Sequence, residues 1–397
     1  MQKEKAPLGL YIHIPFCISK CPYCDFYSGT DDSLMGRYTD ALVLHMEDYA
    51  ESASSYDVDT VYFGGGTPTS MPVACLLDVT DGIYDNFTLR EDTEFTVEAN
   101  PATVTYSGLK KLRRAGVNRL SIGLQSADDG ELRALGRVHT FDDFRESYDL
   151  ARKAGFRNIN VDLMYGIPGQ TEDSLAETLA KVAALDPEHI SLYGLRIEDG
   201  TPFAKKRDTL DLPGEDAECA MYFSAIDFLA ENGWAQYEIS NFAKPGKQCL
   251  HNLRYWNCEE YIGFGPGAHS YFGGRRFAYR RDTEAYIQNL EYQGSVPDIL
   301  SEDYALKPSE RLGEYVMLRL RLTDGVDSDA FAAKFGVSFE KMFGKYLPMY
   351  IENGFMENVG RKYRFTPKGM FVSNYILSAM LDFDSDMIAG CADGSDR

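Results

Sequence analysis

Six short apolar runs recur along the first half of the chain, and segments with apolar residues near helical spacing separate them. The runs are GLYIHIP, TVYFGGG, EFTVEAN, RLSIGLQ, NINVDLMY and HISLYGL, and the intervening segments include GRYTDALVLHMEDYAESA and YSGLKKLRRAGV. Gly116 and Gly155 lie where two of the helices should end, since a left-handed C-cap favours glycine. Strands that alternate with helices predict parallel strands joined by right-handed crossovers. The pattern predicts an α/β fold, a partial (β/α)6 TIM-like barrel, with an open doubly wound sheet as the alternative.

Polar residues stand at the carboxyl ends of the predicted strands. Cys17 lies just beyond the first strand, 64–66 are the glycines that end the second, and Glu98 ends the third. Gln125 ends the fourth strand, and Asp162 lies late in the fifth. Barrel enzymes gather their reacting groups at this edge of the strands. Five strands that contribute to one rim therefore favour the barrel and predict a functional site there.

The second half of the chain has a different sequence pattern. The predicted barrel covers residues 1–240, and a glycine-rich, aromatic connecting segment, 241–302, is expected to pack along its open side. From 303 to 380, predicted helices that include SFEKMFGKYLPMYIENG precede a predicted hairpin, FMENVGRKYRFTPKGM. Helices followed by a hairpin predict a small winged-helix-like α+β domain that docks a partner or packs on the barrel. Residues 381–397 are predicted to be a flexible tail.

Composition limits the partners and the compartment. The 397 residues include 40 Lys and Arg against 61 Asp and Glu, a net charge of −21, which argues against attraction to nucleic acid or anionic lipid. The first residues, MQKEKAPLGL, lack a secretory signal, and no apolar run of about 18 residues predicts a membrane span. The 8 cysteines do not suggest a disulfide scaffold in so long a chain, which favours the reducing cytoplasm.

The stretch CISKCPYC places three cysteines, Cys17, Cys21 and Cys24, at metal-ligand spacing. A structural zinc site or an iron–sulfur cube usually takes four protein ligands. One interpretation is a zinc site that His13 or a distant residue completes. The other is a [4Fe–4S] cluster with one iron left open for a small ligand. The glycines of FGGGTPTS are also compatible with a simple tight turn, and the rim carboxylates with structural roles.

A CxxxCxxC motif after the first strand of a partial barrel resembles the radical S-adenosylmethionine (SAM) superfamily, in which SAM fills the fourth position on the cluster. The stretches YIHIPFCISKCPYCDFYS, GGGTPT, SIGLQS, DLMYGIPGQT and GPGAHS together resemble the branch of oxygen-independent coproporphyrinogen III oxidases and HemW-type heme chaperones. The resemblance implies a [4Fe–4S] cluster on the three motif cysteines. It also implies a SAM pocket formed by Tyr11, Tyr23, Gly65, Gly66, Thr67, Glu98, Gln125, Arg137 and Asp162.

The stretch HNLRYW resembles the HNxxYW signature of HemW-type proteins, which is associated with heme binding. Imidazole is a common ligand of heme iron, and Tyr and Trp offer flat apolar surface to a porphyrin. Without the resemblance, a loop histidine beside packing aromatics is the plainer interpretation. The resemblance implies heme contacts by His251, Asn252, Tyr255 and Trp256. The alternative iron ligands are Cys249, Cys258 and His269.

Three functions remain open from the sequence. The first is a heme chaperone that transfers heme to an acceptor protein and carries a cluster with exchangeable SAM. The second is an oxidase that decarboxylates coproporphyrinogen III, and the third is a zinc-stabilised binding scaffold. The oxidases of the branch carry a longer segment before the motif and extend it to CxxxCxxCxC, whereas here the first cysteine is Cys17 and Phe26 stands in the extra position. These departures favour the chaperone; an electron donor and dimer formation are left open.

Overall fold

The chain forms a large mixed sheet flanked by helices and a small second sheet near the carboxyl end. The computed structural model describes residues 5–293 and 299–382. The strands are β1 (Ala6–Ile14), β2 (Tyr56–Gly65), β3 (Leu89–Ala99), β4 (Arg119–Gln125), β5 (Ile159–Tyr165), β6 (His189–Gly194), β7 (Ala235–Gln236), β8 (Asn241–Ala243), β9 (Tyr261–Phe264), β10 (His269–Phe272), β11 (Arg275–Tyr279), β12 (Leu300–Ala305), β13 (Val326–Asp327), β14 (Met356–Val359) and β15 (Lys362–Phe365). The helices are α1 (Met35–Ala50), α2 (Val73–Asn86), α3 (Tyr106–Arg114), α4 (Asp129–Ala134), α5 (Phe141–Ala154), α6 (Glu172–Ala183), α7 (Glu215–Glu231), α8 (Leu250–Trp256), α9 (Thr283–Gln293), α10 (Pro308–Arg319), α11 (Ser328–Phe335), α12 (Phe339–Phe343), α13 (Leu347–Glu352), α14 (Pro367–Phe371) and α15 (Ser373–Met380).

The first six strands form the parallel core. They lie side by side in sequence order, and each is parallel to the next. A doubly wound sheet would reverse its strand order at a switch point, whereas a barrel keeps the order sequential. The predicted partial (β/α)6 barrel is therefore confirmed. Gly155 ends α5 with a left-handed φ of 101°, as its position predicted.

Alternation along the strands separates the apolar core from the polar interior of the barrel. In β1, Leu10, Ile12 and Ile14 are fully buried and belong to the hydrophobic cluster that the helices complete. Tyr11 and His13 alternate with them and point to the opposite side, as the period of two requires. The interior of the barrel is consequently lined by polar side chains rather than by stacked aliphatic layers.

Residues 241–302, the predicted connecting segment, extend the main sheet at both edges. β8 pairs antiparallel with β6, β9 pairs parallel with β1, and β10, β11 and β12 continue outward from β9 as an antiparallel ladder. Between β8 and β9, α8 passes under the barrel and contacts β2 near its amino-terminal half. This segment thus supplies α8, which forms the floor of the barrel, and the strands β9 to β12, which extend the sheet beyond β1.

The carboxyl-terminal unit has its own hydrophobic core, which includes Leu312, Phe331, Phe339 and Ile376. The hairpin of β14 and β15 pairs with β13 and follows the helices, so the winged-helix-like α+β domain is confirmed. The helix predicted over 338–354 is instead two helices, α12 and α13. Pro348 accounts for the break, because its ring restricts the residue before it and it lacks an N–H to continue a helix.

Ion pairs that join the two units include Arg321 with the buried carboxylate of Glu238 at 3.2 Å and Arg276 with Glu314 at 2.7 Å. Across residues 5–293 and 299–382, no helix has both the length and the apolar character that crossing a bilayer requires. Most of the predicted tail, 383–397, and with it Cys391, lies outside the described residues.

Candidate cluster and cofactor site

The carboxyl ends of the parallel strands open into one cavity of ≈ 1380 Å³. This volume exceeds the roughly 300–1,000 Å³ that a single small-molecule site usually occupies, so it has room for two ligands. The cavity is lined by the three motif cysteines and by Tyr11, Tyr23, Gly65, Gly66, Thr67, Glu98, Gln125, Arg137, Asp162, Asn252, Tyr255 and Trp256. The fold therefore brings together, around one volume, nearly every side chain that the sequence selected. His251 and Cys249 are the exceptions, because both are buried behind the lining.

The cysteines lie on a loop that follows β1 and closes on itself at its base. The N–H of Cys17 donates to the carbonyl of Gly29 at 2.9 Å, and the N–H of Gly29 donates to Pro15 at 2.8 Å. The N–H of Cys24 donates to the carbonyl of Cys21 at 3.1 Å, which forms a turn between the two thiols. All three cysteines are free of disulfides. Burial raises the pKa of the Cys24 thiol, and the neighbouring thiols raise it further.

A chain of hydrogen bonds surrounds the thiols. The Oγ1 of Thr67 donates to Cys17 Sγ at 3.7 Å, and Nη1 of Arg137 donates to Cys21 Sγ at 3.5 Å. Asn100 joins the two, because its Nδ2 donates to Thr67 at 2.7 Å and its Oδ1 accepts from Arg137 at 2.7 Å. Donors and positive charge beside the sulfurs suit a thiolate-bound cluster, whose potential depends on such contacts.

Asn100 was not among the residues that the sequence analysis selected. It lies two residues after Glu98, so the period of two along a strand places both on the same side. That spacing was the available signal.

The surroundings of His13 bear on the zinc interpretation. Its Nε2 donates to the carbonyl of Tyr27 at 2.8 Å, and its Nδ1 accepts from the hydroxyl of Tyr11 at 3.1 Å. Burial lowers the pKa of His13 to about 4, so the ring is neutral and both nitrogens are engaged. Within the described ranges, no three or more His, Cys, Asp or Glu side chains are arranged to hold a single metal ion. Both ring nitrogens of His13 are thus engaged away from the three thiols, and His13 does not complete a zinc site with them.

The glycine turn after β2 presses against the base of the cysteine loop. A Cβ on Gly66 would lie 2.6 Å from the carbonyl oxygen of Phe16 and 2.9 Å from that of Ile14, so no side chain fits. Gly65 has a φ of 109°, and the N–H of Thr67 donates to Phe16 at 2.7 Å. The turn therefore needs glycine for its own geometry. Residues 65–67 line the cavity at this turn.

Two buried carboxyl groups face the cavity from β3 and β5. Burial, with a further contribution from Asp162, raises the pKa of Glu98 to about 7. The hydroxyl of Tyr62 donates to Glu98 Oε1 at 2.8 Å. Asp162 accepts from Asn160 at 2.7 Å and from Ser121 at 3.1 Å, and burial raises its pKa as well. Two poorly solvated carboxyl groups in one pocket favour a ligand that brings hydrogen-bond donors or positive charge.

Gln125 carries the clearest sign of an absent ligand. Its Oε1 is buried and has no hydrogen-bond partner. Its φ is 70°, a left-handed value for a residue with a side chain, at a register shift between β4 and β5. A buried acceptor without a donor costs about 1–3 kcal/mol, and backbone strain of this kind concentrates at functional sites. A donor group of a bound ligand would satisfy this oxygen.

The floor of the cavity is α8, and His251 is its most buried side chain, at 1% exposure. Its Nδ1 lies 2.9 Å from Thr60 Oγ1, and its Nε2 lies 2.7 Å from the hydroxyl of Tyr255. Burial lowers the pKa of His251 to about 3, which keeps the ring neutral. Iron ligation by His251 would require one of these two hydrogen bonds to break. In the present arrangement His251 holds Tyr255 toward the cavity.

Trp256, at the end of α8, also lacks a partner for its polar atom. Its Nε1 is buried without a hydrogen bond, and the guanidinium of Arg321 lies 4.4 Å from its ring centroid. Asn252, Tyr255 and Trp256 all line the cavity. Three of the four residues implied for heme contact thus face the same volume as the cysteines, and the fourth supports them from behind.

Comparisons with known proteins agree with this arrangement. The Radical SAM superfamily model matches residues 11–182, and the HemN C-terminal domain model matches 306–372. The chain is 38% identical to the heme chaperone HemW of Bacillus subtilis, covering 94% of this chain and 98% of the relative. It is 35% identical to the heme chaperone HemW of Escherichia coli over 94% and 98%. Its fold is similar to that of the Escherichia coli coproporphyrinogen III oxidase HemN, a radical SAM enzyme, with a TM-score of 0.83, 25% identity, and coverage of 96% and 91%.

Proposed function

This chain belongs to the HemW family within the radical SAM superfamily, and we propose that it binds heme and transfers it to an acceptor protein. The observation that carries this proposal is the single ≈ 1380 Å³ cavity, which the cysteine loop and the HNLRYW helix line together. A heme chaperone of this kind needs a porphyrin-sized space beside its cluster site. The names of the similar Bacillus subtilis and Escherichia coli proteins, heme chaperone HemW, support the same function.

The resident cofactors of the proposed protein are a [4Fe–4S] cluster and exchangeable SAM. Cys17, Cys21 and Cys24 would hold the cluster, with donors from Thr67 and Arg137 on two of the sulfurs. A SAM-bound cluster supplies one-electron chemistry when it is reduced. The polar side chains that line the cavity would hold SAM: Glu98 and Asp162 would accept from its donor groups, and the unpartnered Oε1 of Gln125 would accept from another.

Heme is the cargo, and the outer part of the cavity is its proposed place. Tyr255 and Trp256 offer aromatic surface there, and the unpartnered Nε1 of Trp256 offers a donor to a propionate. The seven cysteines of the described residues are all free, which suits the reducing cytoplasm that cluster thiolates need. The acceptor protein and any electron donor would meet the chain at the open side of the cavity.

Oxidation of coproporphyrinogen III is the second candidate, because the fold is so close to that of the Escherichia coli oxidase. Phe26 argues against it. This side chain lines the cavity at 68% exposure, at the position where the oxidases of the branch carry a further cysteine. A large exposed apolar side chain at the mouth suits contact with a flat apolar ligand better than it suits closing a radical site against water.

A turnover assay separates the two candidates. The chain is reconstituted anaerobically with iron and sulfide and then given SAM, a reductant and coproporphyrinogen III. The substrate is expected to remain unconverted in samples that bind added heme. Formation of protoporphyrinogen over many turnovers, absent from a Cys21→Ala control, would make the protein an oxidase.

A further inference from the structure

We propose that His269 ligates the heme iron through Nε2 and that Glu302 holds its imidazole in place. This inference rests on the proposed heme-binding function and names the residue that would carry it. It assigns the HNLRYW helix a different part of the same site, namely the floor and one aromatic wall.

All six histidines of the chain lie within the described residues. Both ring nitrogens are hydrogen-bonded in four of them: His13, His45, His189 and His251. His139 is buried, and its Nε2 lies 3.2 Å from the carbonyl of Leu124. His269 differs from all of these, because it lines the cavity and its side chain is 62% exposed. It is the histidine whose ring an iron atom can reach without the loss of an internal hydrogen bond.

The partner of His269 is the one that a ligating imidazole needs. Nδ1 lies 3.3 Å from Glu302 Oε1. The contact spans three strands, because His269 on β10 is in register with Ala278 on β11, which is in register with Glu302 on β12. A small rotation of either exposed side chain would let Nδ1–H donate to this carboxylate, which would keep the proton on Nδ1 and leave the Nε2 lone pair free for iron. Metal-bound histidines carry such a carboxylate or carbonyl partner almost without exception.

The next register row on the same side of the ladder offers groups for the rest of a porphyrin. Arg276 on β11 is in register with Tyr271 on β10 and with Tyr304 on β12. Tyr304 is exposed and lines the cavity, which leaves its ring available to a flat apolar ligand. The Nε of Arg276 is buried without a partner, although its Nη2 pairs with Glu314 at 2.7 Å. Ala278 lies in register between His269 and Glu302, and its small side chain leaves the surface between them flat.

A second cation stands near the histidine. Arg281 lines the cavity, its side chain is 58% exposed, and its nearest ion-pair partner, Asp25, is 4.0 Å away. A pair at that distance between exposed groups contributes little, so the guanidinium is available to a carboxylate of the ligand. Arginine binds carboxylates through two parallel hydrogen bonds, as a propionate would allow.

The ladder is physically joined to the HNLRYW helix. The ring of Tyr261 lies 4.5 Å from that of Tyr255, and its hydroxyl accepts from Nη1 of Arg276 at 3.1 Å. The helix residue that His251 holds in place is therefore connected through one tyrosine to the row that carries Arg276. Heme seated on His269 would accordingly contact a surface that the motif residues support.

Spectroscopic heme titration of the full chain tests the assignment. Ferric heme is added anaerobically to the wild type, His269→Ala, Glu302→Gln and Asp303→Asn, and the Soret band and the heme midpoint potential are recorded. His269→Ala is expected to shift the Soret band and to weaken heme binding tenfold or more, and added imidazole should restore the band in His269→Gly. Glu302→Gln should keep heme but raise the midpoint potential, because a neutral amide makes the imidazole a weaker donor to ferric iron. Asp303→Asn is the matched control, since Asp303 pairs with Arg275 at 2.8 Å and adjacent strand residues face opposite sides.

The outcomes distinguish this inference from the proposed function. If the wild type binds heme and His269→Ala retains both its Soret band and its affinity, the ligand is another residue and the assignment is overturned. A changed band in His251→Ala alone would move the ligand to His251. If the wild type itself binds no heme, the proposed function fails, and the assignment fails with it.

Discussion

His189 donates from Nδ1 to Oδ1 of Asn160 across 2.6 Å, in the polar interior of the barrel. The bond belongs to a longer chain, because Asn160 Nδ2 donates to Asp162 Oδ1 at 2.7 Å and the hydroxyl of Tyr237 donates to His189 Nε2 at 2.9 Å. That hydroxyl in turn accepts from the N–H of Cys249, the residue that begins the turn into α8, at 3.2 Å. A continuous hydrogen-bonded path thus connects the floor of the cavity to a carboxylate of the proposed SAM pocket.

The path predicts that His189 is a positioning residue for SAM. His189→Phe should weaken SAM binding about tenfold, because the loss of one buried bond of about 1.4 kcal/mol would leave Asp162 poorly oriented. Equilibrium binding of labelled SAM to the reconstituted protein measures the effect.

His45 offers a matched control for that variant. Its ring is as buried as that of His189 and also forms two hydrogen bonds, with Tyr286 at 2.7 Å and Tyr279 at 2.9 Å. However, His45 lies on α1 and contacts α9 and β11 outside the barrel interior. His45→Phe should lose comparable stability while its SAM affinity stays at the wild-type level. Equal SAM affinities in the two variants would show that the path does not reach the pocket.

The cysteine assignment predicts which thiols the cluster needs. Replacement of Cys17, Cys21 or Cys24 by Ala should abolish the cluster absorbance and the bound sulfide after anaerobic reconstitution. Cys75→Ala should leave both unchanged, because Cys75 lies on α2, away from the cavity lining. Zinc without sulfide in the wild type would contradict the cluster, and a full cluster in Cys21→Ala would contradict the assignment.

The buried carboxyl of Glu98 predicts a pH dependence of stability. Its pKa is raised from 4.5 to about 7, so between these values the folded chain keeps a proton that the unfolded chain releases. Stability is therefore lost as the pH rises through this window, by about 2–3 kcal/mol between pH 5 and pH 8. Glu98→Gln should remove this loss in denaturant unfolding measured at both pH values. Parallel pH profiles of the two proteins would show that Glu98 is not the titrating group.

The two hydrogen bonds of His251 predict a structural cost. His251→Ala should lower the free energy of unfolding by about 2–3 kcal/mol, since it removes both bonds and leaves a small cavity under Tyr62 and Tyr255. Heme affinity should fall as Tyr255 loosens, while the Soret position of the heme that still binds should remain. Soret loss at unchanged stability would instead favour direct ligation, as the motif resemblance implied.

Much of the site was predictable because a strand has a fixed period and a parallel sheet aligns its ends. Glu98 and Gln125 sit at the carboxyl ends of strands that apolar runs and glycine signals delimit, and Asp162 lies in the middle of β5 and lines the same cavity. Once the strands are known to be parallel, their ends must share one edge. The cysteine loop could be placed for the same reason, since it follows β1 directly.

The environment of His251 could not be predicted in this way. The sequence shows a histidine among aromatics, but its partners Thr60 and Tyr255 depend on α8 passing under the barrel to contact β2. Likewise, the pairing of His269 with Glu302 depends on the register of three strands, and the two residues are more than thirty positions apart in the chain. Long-range register and the path of a connection are set by packing of the whole fold, and the local pattern carries little of that information.

The most direct test of heme binding in this cavity is an anaerobic heme titration of the reconstituted wild-type chain, monitored by absorbance with and without SAM. We expect saturable binding of one heme per chain in protein that retains its cluster, because the cavity of ≈ 1380 Å³ would accommodate heme beside the cysteine site. Failure to reach a saturable Soret band in cluster-loaded protein, in both the presence and the absence of SAM, would contradict it.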